Sequence, residues 1–325
     1  MKKKNKIYTN IKRKKYHYKW RYCSVCEKRT TSSKNGIPIC PKCQMGLEDK
    51  VSDEEKALFL DLKKSKMTLE EIRLLVRNGG SKNETVSIQP YTVKQSKLRI
   101  GVFGDTHIGS KFYDPQLMKY AAEVFNKEKV DFVIHTGDIC EGHYESKRAG
   151  SVFELTEVGG DNQVDRAAKE LRQIKRPIYV ITGNHEHNTF YKLCGFDVGV
   201  HIAEKVPNMT YLGNMHATIK LPYGKKIEIL HPGGGSSYAL SYRPQKIVES
   251  LEGGSKPDIL LIGHYHKMLQ MYYRNVHTFM TGTLQSQSSF MREHGLAAHK
   301  GFYILNIEVG KNGISKLTTE QFTAY

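Results

Sequence analysis

Apolar runs alternate with amphipathic stretches between Lys97 and about residue 266. Five of the runs have the length and composition of buried strands, and two stretches between them repeat apolar residues at helical spacing. Asp114 and Pro115 mark the start of the first helix, because Asp is a common N-cap and Pro is tolerated in the first turn. The pattern predicts an α/β domain with the strand segments KLRIGVF, VDFVIH, RPIYVIT, KIEIL and PDILLI.

Metal-binding side chains follow each of these predicted strands. Ligand sites in α/β sheets lie beyond the carboxyl ends of the strands, so we expect these side chains to converge. Oxygen and imidazole donors without thiolates suit manganese, iron or zinc rather than calcium. One carboxylate, Asp138, can bridge two ions about 3.5–4 Å apart, the arrangement used in phosphate-ester hydrolysis. The predicted metal ligands are Asp105, His107, Asp138, Asn184, His231, His264 and His266.

The motifs at the strand ends resemble those of a known family. GDTH, GD, GNHE, a lone histidine and GHYH occur in the order of the five motifs of calcineurin-like metallophosphoesterases, between residue 98 and about 310. The resemblance implies a four-layer α/β/β/α sandwich and two divalent cations, with manganese favoured over iron or zinc, bridged by Asp138. The implied ligands of one cation are Asp105, His107 and His266, and those of the other are Asn184, His231 and His264.

The same resemblance implies roles for the neighbouring residues. His185 corresponds to the family's catalytic histidine, which stabilises the transition state and protonates the leaving oxygen. Glu186 is expected to orient a neighbouring imidazole. The implied reaction is direct attack on phosphorus by a hydroxide that bridges the two cations, without a Ser or Cys nucleophile. For His143 and His187, contact with a substrate phosphate and a structural role both stay open.

The motifs leave two classes of substrate open. The segment GDICEGHYESKR lacks the arginine that protein phosphatases of this family carry there, and position 141 is Glu where purple acid phosphatases have a ligand tyrosine. No GxxxxGK[ST] loop occurs, which removes an ATPase. The second half of the domain is similar to phage and archaeal members of the family and to SbcD-like DNA nucleases. We expect a phosphodiesterase or nuclease acting on nucleic acid; the alternative is a phosphomonoesterase of small molecules or phosphoproteins.

The chain before Lys97 has a different pattern. Residues 52–80 carry apolar positions in two helical phases, and Ser52 with Glu55 matches a capping box, which predicts a helical spacer. Residues 79–96 have the composition of a linker. The predicted parts are a basic zinc-ribbon-like module at 1–50, the spacer and linker at 51–96, and the phosphoesterase domain at 97–325.

Four cysteines form two CxxC knuckles separated by thirteen residues. This spacing resembles a zinc ribbon, in which each knuckle supplies two sulfurs about 2.3 Å from the metal, and the intervening KNG predicts a turn between short strands. Four protein ligands leave no open position, so this zinc would be structural. Cys140 and Cys194 are expected to be buried small hydrophobes. The predicted zinc ligands are Cys23, Cys26, Cys40 and Cys43.

The net charge of +17 is concentrated at the start of the chain, where residues 1–50 hold 15 Lys and Arg against 3 Asp and Glu. Cations neutralise phosphates and aromatic rings stack on bases, so this composition predicts contact with nucleic acid. The alternative for this basic segment is a solvated tail. If the substrate is a phosphomonoester, we expect the ribbon to dock a protein partner instead. The interleaved aromatic residues are Tyr8, Tyr16, Tyr18, Trp20 and Tyr22.

The overall composition, with 39% hydrophobic and 26% charged residues, is that of a soluble globular protein. No apolar run reaches about 18 residues, and no apolar stretch follows the basic start MKKKNK, so neither a membrane span nor a secretory signal is predicted. We therefore expect a cytoplasmic protein with reduced thiols and no membrane partner.

Overall fold

The computed structural model describes residues 97–143, 152–254 and 256–324, together with short segments nearer the start of the chain. The chain divides into two compact units, Met1–Gly80 and Ser81–Tyr325. The predicted helical spacer at 52–80 lies outside the described residues. The division of the chain at residues 50 and 96 stays a prediction.

Two short antiparallel ribbons are described in the first unit. The pairing of Lys34 with Ile37 agrees with the turn predicted at KNG. Cys23 follows the first strand and is buried. Cys26, Cys40 and Cys43 lie outside the described residues, so the zinc site stays a prediction. The paired strands are β1 (Arg21–Tyr22) with β2 (Arg29–Thr30), and β3 (Ser33–Lys34) with β4 (Ile37–Pro38).

Two six-stranded sheets form the framework of the second unit. The strands of the first sheet are β6 (Lys97–Phe103), β7 (Phe132–His135), β8 (Ile178–Thr182), β9 (Met209–Asn214), β15 (Lys300–Gly310) and β16 (Gly313–Ala324). Their order is β16-β15-β6-β7-β8-β9, and β6 to β9 run parallel. The strands of the second sheet are β5 (Val86–Ser87), β10 (His216–Lys220), β11 (Lys226–Leu230), β12 (Ile259–Ile262), β13 (Met268–Tyr273) and β14 (Val276–Thr281).

The second sheet has the order β13-β14-β12-β11-β10-β5, with β11, β12 and β14 parallel. All five strands predicted from apolar runs are present, two of them in this sheet. The two-residue β5 lies within the segment of linker composition and pairs in parallel with Ile219 and Lys220 of β10. Part of that segment therefore belongs to the second sheet.

Helices pack on the sheets or follow strand ends. The first begins where the sequence predicts, because Asp114 accepts the N–H of Leu117 at 3.0 Å and Pro115 occupies the first turn. Within the described residues no helix has the length and apolarity needed to cross a membrane. The helices are α1 (Pro115–Lys127), α2 (Gly160–Leu171), α3 (Asn184–Glu186), α4 (Lys192–Cys194), α5 (Val198–Lys205), α6 (Tyr242–Ser250) and α7 (Ser289–Glu293), with a π-helical turn at His187–Tyr191 and 3-10 turns at Val152–Glu154 and Pro222–Gly224.

The four layers follow from which faces of the strands are buried. Leu98, Ile100 and Val102 alternate along β6 and meet Ile227 and Ile229 of β11 in the core between the sheets. Helices α1, α2 and α5 cover the other face of the first sheet, and α6 covers the other face of the second. Both faces of β7 and β12 are buried, which explains their nearly continuous apolar sequences. The order of layers is α/β/β/α, as predicted.

Candidate active site

The predicted metal ligands all lie at the carboxyl ends of the central strands. The parallel strands of each sheet end at one edge, and the loops that follow them bring polar side chains together there. The positions are Asp105 and His107 after β6, Asp138 after β7, Asn184 after β8, His231 after β11, and His264 and His266 after β12.

A first group consists of Asp105, His107 and His266, whose donor atoms lie within 4.8 Å of one another. Nε2 of His107 is 2.9 Å from Nε2 of His266. The same nitrogen of His266 is 3.5 Å from Oδ1 of Asp105. Two ligand atoms about 2.1 Å from one cation, at a right angle, lie about 3.0 Å apart. The spacing therefore fits three donors around a single cation.

A second group consists of Asn184, His231 and His264. Nε2 of His231 is 3.1 Å from Oδ1 of Asn184. Nδ1 of His231 donates to the carbonyl oxygen of Thr136 at 2.8 Å, which fixes the ring and leaves Nε2 to face the group. A contact of this kind accompanies most metal-ligating histidines, because it sets the tautomer and orientation of the ring.

His264 shows the same division of roles between its two nitrogens. Its Nε2 donates to the carbonyl oxygen of Gly234 at 2.7 Å. In the described part of the chain, its buried Nδ1 has no hydrogen-bond partner. Leaving such an atom unpaired costs about 1–3 kcal/mol. A cation at this nitrogen would remove that cost, so the residues present fit a metal ion.

Asp138 lies between the two groups. Its Oδ2 is 3.1 Å from Nε2 of His231 and 3.9 Å from Nε2 of His107. Burial lowers the pKa of His231, but the Asp138 carboxylate outweighs it and raises that pKa to about 9. A cation bound at Nε2 of His231 would displace this proton. Asp138 thus lies within 4 Å of one histidine of each group.

Five of the seven predicted ligands have a left-handed backbone, with φ between 48° and 76°. This region is uncommon for residues that carry a Cβ, although Asp and His adopt it more readily than most. Each such residue costs on the order of 1–3 kcal/mol, and residues of this kind cluster at functional sites. The five are Asp105, His107, Asp138, His264 and His266.

His185 lies beside both groups. Its Nδ1 donates to the backbone carbonyl of Glu141 at 2.7 Å, so its Nε2 faces the site, 3.9 Å from Oδ2 of Asp138. Its ring packs edge-on against His107, with centroids 4.4 Å apart. Burial lowers the pKa of His185, but the carboxylates of Asp138 and Glu141 outweigh it and the pKa lies above its usual value. A protonated Nε2 at this place can donate to a phosphate oxygen.

Glu141 is a site residue that the sequence analysis did not predict. Its carboxylate is buried, with Oε2 3.0 Å from Nδ1 of His107. The same oxygen accepts the side-chain N–H of Gln285 at 3.1 Å. A carboxylate in this position orients the imidazole and raises the basicity of the nitrogen that faces the cation. The signal in the sequence is a Glu three residues after Asp138, at the end of a buried strand.

The carboxylate of Glu186 accepts the backbone N–H of Cys140 at 2.7 Å and that of Gly183 at 2.8 Å. Its expected role in orienting an imidazole stays a prediction. Burial, with the nearby Asp138, raises the pKa of Glu186 to about 7. Glu186 therefore ties the loop after β7 to the loop after β8.

The remaining candidates divide between structural roles and open ones. The amide nitrogen of Asn214 donates to Nδ1 of His187 at 2.5 Å, and the ring of His187 stacks on Tyr191, which favours a structural role. His143 is half-buried and its role stays open.

Cys140 is buried as expected, whereas Cys194 is exposed, so the expectation for Cys194 is wrong. Cys194 ends the short helix α4, in which no residue is buried and the neighbouring Leu193 is also exposed.

The site opens into a cleft of about 420 Å³. Five of the seven predicted ligands line it: His107, Asp138, Asn184, His264 and His266. Among the described residues that line the cleft there is no Lys or Arg, whereas Glu141 and Glu154 add carboxylates to Asp138. The apolar part of the lining consists of Tyr265, Phe290, Met291 and Leu296.

Oxygen and imidazole donors for divalent cations, with a histidine beside them that can donate a proton, are the components of metal-assisted phosphate-ester hydrolysis. The fold and the site thus define a metal-dependent hydrolase of phosphate esters. The family model described as calcineurin-like phosphoesterase matches residues 98–268, more than half of the chain. The chain belongs to the calcineurin-like phosphoesterase family, as its motifs predict.

Solved structures with a similar fold include several phosphoesterases. An archaeal phosphodiesterase is 16% identical, with a TM-score of 0.41, covering 69% of this chain and 100% of its own. Vps29 from Entamoeba histolytica, complexed with zinc, is 15% identical, with a TM-score of 0.38, covering 70% of this chain and 99% of its own. The E. coli phosphoesterase YfcE is 12% identical, with a TM-score of 0.38, covering 68% and 98%. No curated protein matches the chain.

Proposed function

We propose that the protein is a phosphodiesterase that cleaves nucleic acid with the help of two divalent cations, manganese by preference. His185 is the proposed catalytic acid, and Asp138 the proposed shared ligand. When bound, the cations supply a nucleophile from water near neutral pH and offset the charge of the phosphate. The other proposed ligands are Asp105, His107 and His266 for one cation, and Asn184, His231 and His264 for the other.

The charge of the cleft lining carries the choice of a diester. A phosphomonoester has close to two negative charges at pH 7, because its second pKa is about 6, whereas a diester has one. Beyond the proposed cations, the described lining offers no Lys or Arg to offset a second charge, and it adds the carboxylates of Glu141 and Glu154. Repulsion from these carboxylates grows with the charge of the substrate. The lining therefore favours the diester.

The chain's own residues have distinct tasks in this reaction. His185 is held by the carbonyl oxygen of Glu141, so that its Nε2 can donate to an oxygen of the phosphate. Glu141 also holds the ring of His107 through Nδ1. Oδ1 of Asp138 accepts the backbone N–H of His185 at 2.9 Å. This hydrogen bond links the position of the proposed catalytic acid, His185, to that of the proposed shared ligand.

The choice of nucleic acid is supported by the charge of residues 1–50, with 15 Lys and Arg against 3 Asp and Glu. Such a segment adds affinity for phosphates without reading sequence. The proposed structural zinc at Cys23, Cys26, Cys40 and Cys43 would hold this module folded, and the cytoplasm is the proposed compartment.

Hydrolysis of two chromogenic esters tests the proposal. The full-length protein with manganese should hydrolyse bis-p-nitrophenyl phosphate with a higher kcat/KM than p-nitrophenyl phosphate. Excess chelator should stop the reaction, and added manganese should restore it. A preference for the monoester would support the alternative phosphomonoesterase, in which the N-terminal module docks a protein.

A second measurement tests the nucleic-acid substrate. Replacing Lys12, Lys14 and Lys15 by Gln in the full-length chain should weaken binding to single-stranded DNA and RNA. The dependence of log affinity on log salt should become shallower by up to about 0.7 for each phosphate that the variant no longer neutralises. Hydrolysis of the small chromogenic diester should be unchanged, because the proposed metal ligands lie elsewhere in the chain. Equal affinity and salt dependence would remove this role of the N-terminal segment.

A further inference from the structure

The apolar lining of the cleft comes largely from one connection, residues 282–299, which joins β14 of the second sheet to β15 of the first. We name it the crossover segment. Phe290, Met291 and Leu296 of this segment line the cleft, and α7 lies within it. Predicted metal ligands line the same cleft. The volume of the cleft, about 420 Å³, lies within the range of about 300–1,000 Å³ that is typical of sites for drug-sized ligands. The cleft is therefore larger than a phosphate requires.

Hydrogen bonds hold the start of the crossover segment against the loop that follows β6. Thr283 donates its hydroxyl to the carbonyl oxygen of Asp105 at 2.7 Å, and the N–H of Leu284 donates to the same oxygen at 3.1 Å. The side chain of Gln285 donates to Ser110 at 3.0 Å and to Glu141. These contacts fix the start of the crossover segment beside the proposed ligand Asp105. A substrate group that binds there meets a preorganised surface.

Phe290 is the aromatic side chain of this surface that a ligand can reach. Tyr265 is 6% exposed and Met291 is 7% exposed, so both serve mainly as packing. Phe290 is only half-buried, and its ring is supported by His294, with centroids 4.2 Å apart and planes at 32°. A supported, partly exposed ring beside a phosphate site suits a planar group attached to that phosphate.

We propose that Phe290 forms a base-stacking subsite, where a nucleobase next to the scissile phosphate packs on its ring. The subsite rests on the proposed phosphodiesterase function and adds to it a preference for nucleoside esters over alkyl esters. Stacking accepts any base, because every base has a π-face. The subsite therefore selects nucleosides without selecting a sequence.

Two diesters with the same leaving group test the subsite. Methyl p-nitrophenyl phosphate and thymidine 5′-(p-nitrophenyl phosphate) both release p-nitrophenolate, so the ratio of their kcat/KM values reports binding of the nucleoside. In the manganese-loaded full-length protein, Phe290→Ala should lower the ratio of thymidine to methyl ester about tenfold or more. Calorimetric titration should show a matching loss of affinity for thymidine 5′-monophosphate, with little change for inorganic phosphate.

Two further substitutions separate stacking from packing. Phe290→Trp keeps a planar ring and should keep or raise the ratio. Phe290→Leu keeps apolar bulk without the plane and should lower the ratio nearly as much as Ala. Tyr272→Ala is the matched control, because Tyr272 is exposed, contacts His277 ring to ring at 4.5 Å, and lies outside the described cleft lining. It should leave the ratio unchanged.

The outcomes distinguish the subsite from the function on which it rests. An unchanged ratio in folded Phe290→Ala, with both esters hydrolysed by the wild type, would overturn the subsite and leave the phosphodiesterase in place. The same holds if Leu supports the ratio as well as Phe does. If the wild-type protein hydrolyses neither ester, the proposed function fails and the subsite fails with it.

Discussion

Gly183→Ala tests whether the site depends on the close approach of two strand-end loops. A Cβ at this position would lie 2.3 Å from Oδ1 of Asp138, 2.7 Å from its backbone nitrogen and 2.7 Å from Cε1 of His231. Contacts below 3.0 Å are essentially never seen for a real Cβ, so Asp138 or Gly183 must move by at least about 0.7 Å. A misplacement of about 1 Å can cost about 100-fold in rate. Overpacking of this kind costs about 1–3 kcal/mol in the free energy of unfolding.

We therefore expect turnover of bis-p-nitrophenyl phosphate to fall about 100-fold, with loss of bound manganese, while the protein stays folded. The assays are steady-state kinetics, metal analysis of the dialysed protein, and urea unfolding followed by circular dichroism. Gly253→Ala is the control, since among the described residues a Cβ there meets no atom within 4 Å. Wild-type metal content and turnover in Gly183→Ala would refute the argument, because Asp138 would then tolerate displacement.

Four other substitutions test separate parts of the structure. Asp138→Asn should nearly abolish turnover and lower the content of both cations, and a loss of one cation alone would contradict the shared ligand. His185→Ala should lower turnover about 10²–10⁴-fold with metal content unchanged, which a wild-type rate on an ester with a poor leaving group would disprove. Glu141→Gln should weaken manganese binding about 10–100-fold, as measured by calorimetry. Asp114→Ala should lower the free energy of unfolding by about 1 kcal/mol. Burial raises the pKa of Asp114, but the N–H of Leu117 and the ammonium of Lys300 outweigh it, so the pKa is lowered. The stabilisation is therefore present above pH 3.8 and is lost as the pH falls through the lowered pKa, which urea unfolding at pH 7 and pH 3 can measure.

The sequence predicts the strand ends well because the end of an apolar strand and the polar residues that follow it mark the same place. A strand buried on both faces must be apolar along its length, so the first polar residue after it marks the sheet edge. Asp138 follows β7, which is buried along its whole length, and lies 3.1 Å from His231, which follows β11 of the other sheet. The start of α1 is equally clear, since Asp114 and Pro115 fit only the first turn.

Contacts that depend on the direction of a side chain are harder to predict. Glu141 and Glu186 are both buried acids close to metal-binding motifs, yet one faces an imidazole and the other two backbone N–H groups. Local composition does not distinguish them, because the partners come from loops distant in sequence. The same limit explains Cys194, whose exposure depends on whether another element covers α4. The pairing of β5 with β10 is also set by tertiary contacts, since two residues carry no periodic signal.

The energetics of the site argue that cations are part of the folded state. At about 1–3 kcal/mol each, five left-handed residues cost about 5–15 kcal/mol together, and the buried Nδ1 of His264 adds about 1–3 kcal/mol. These costs are large beside the 5–15 kcal/mol by which a protein is typically stable. Each cation at about a hundred times its Kd would contribute about 2.7 kcal/mol, so two would contribute about 5 kcal/mol. That gain would offset part of the cost of the strained backbone and the unpaired nitrogen. The residues that make the strand ends unfavourable for the chain alone are the ones that a pair of bound cations would stabilise.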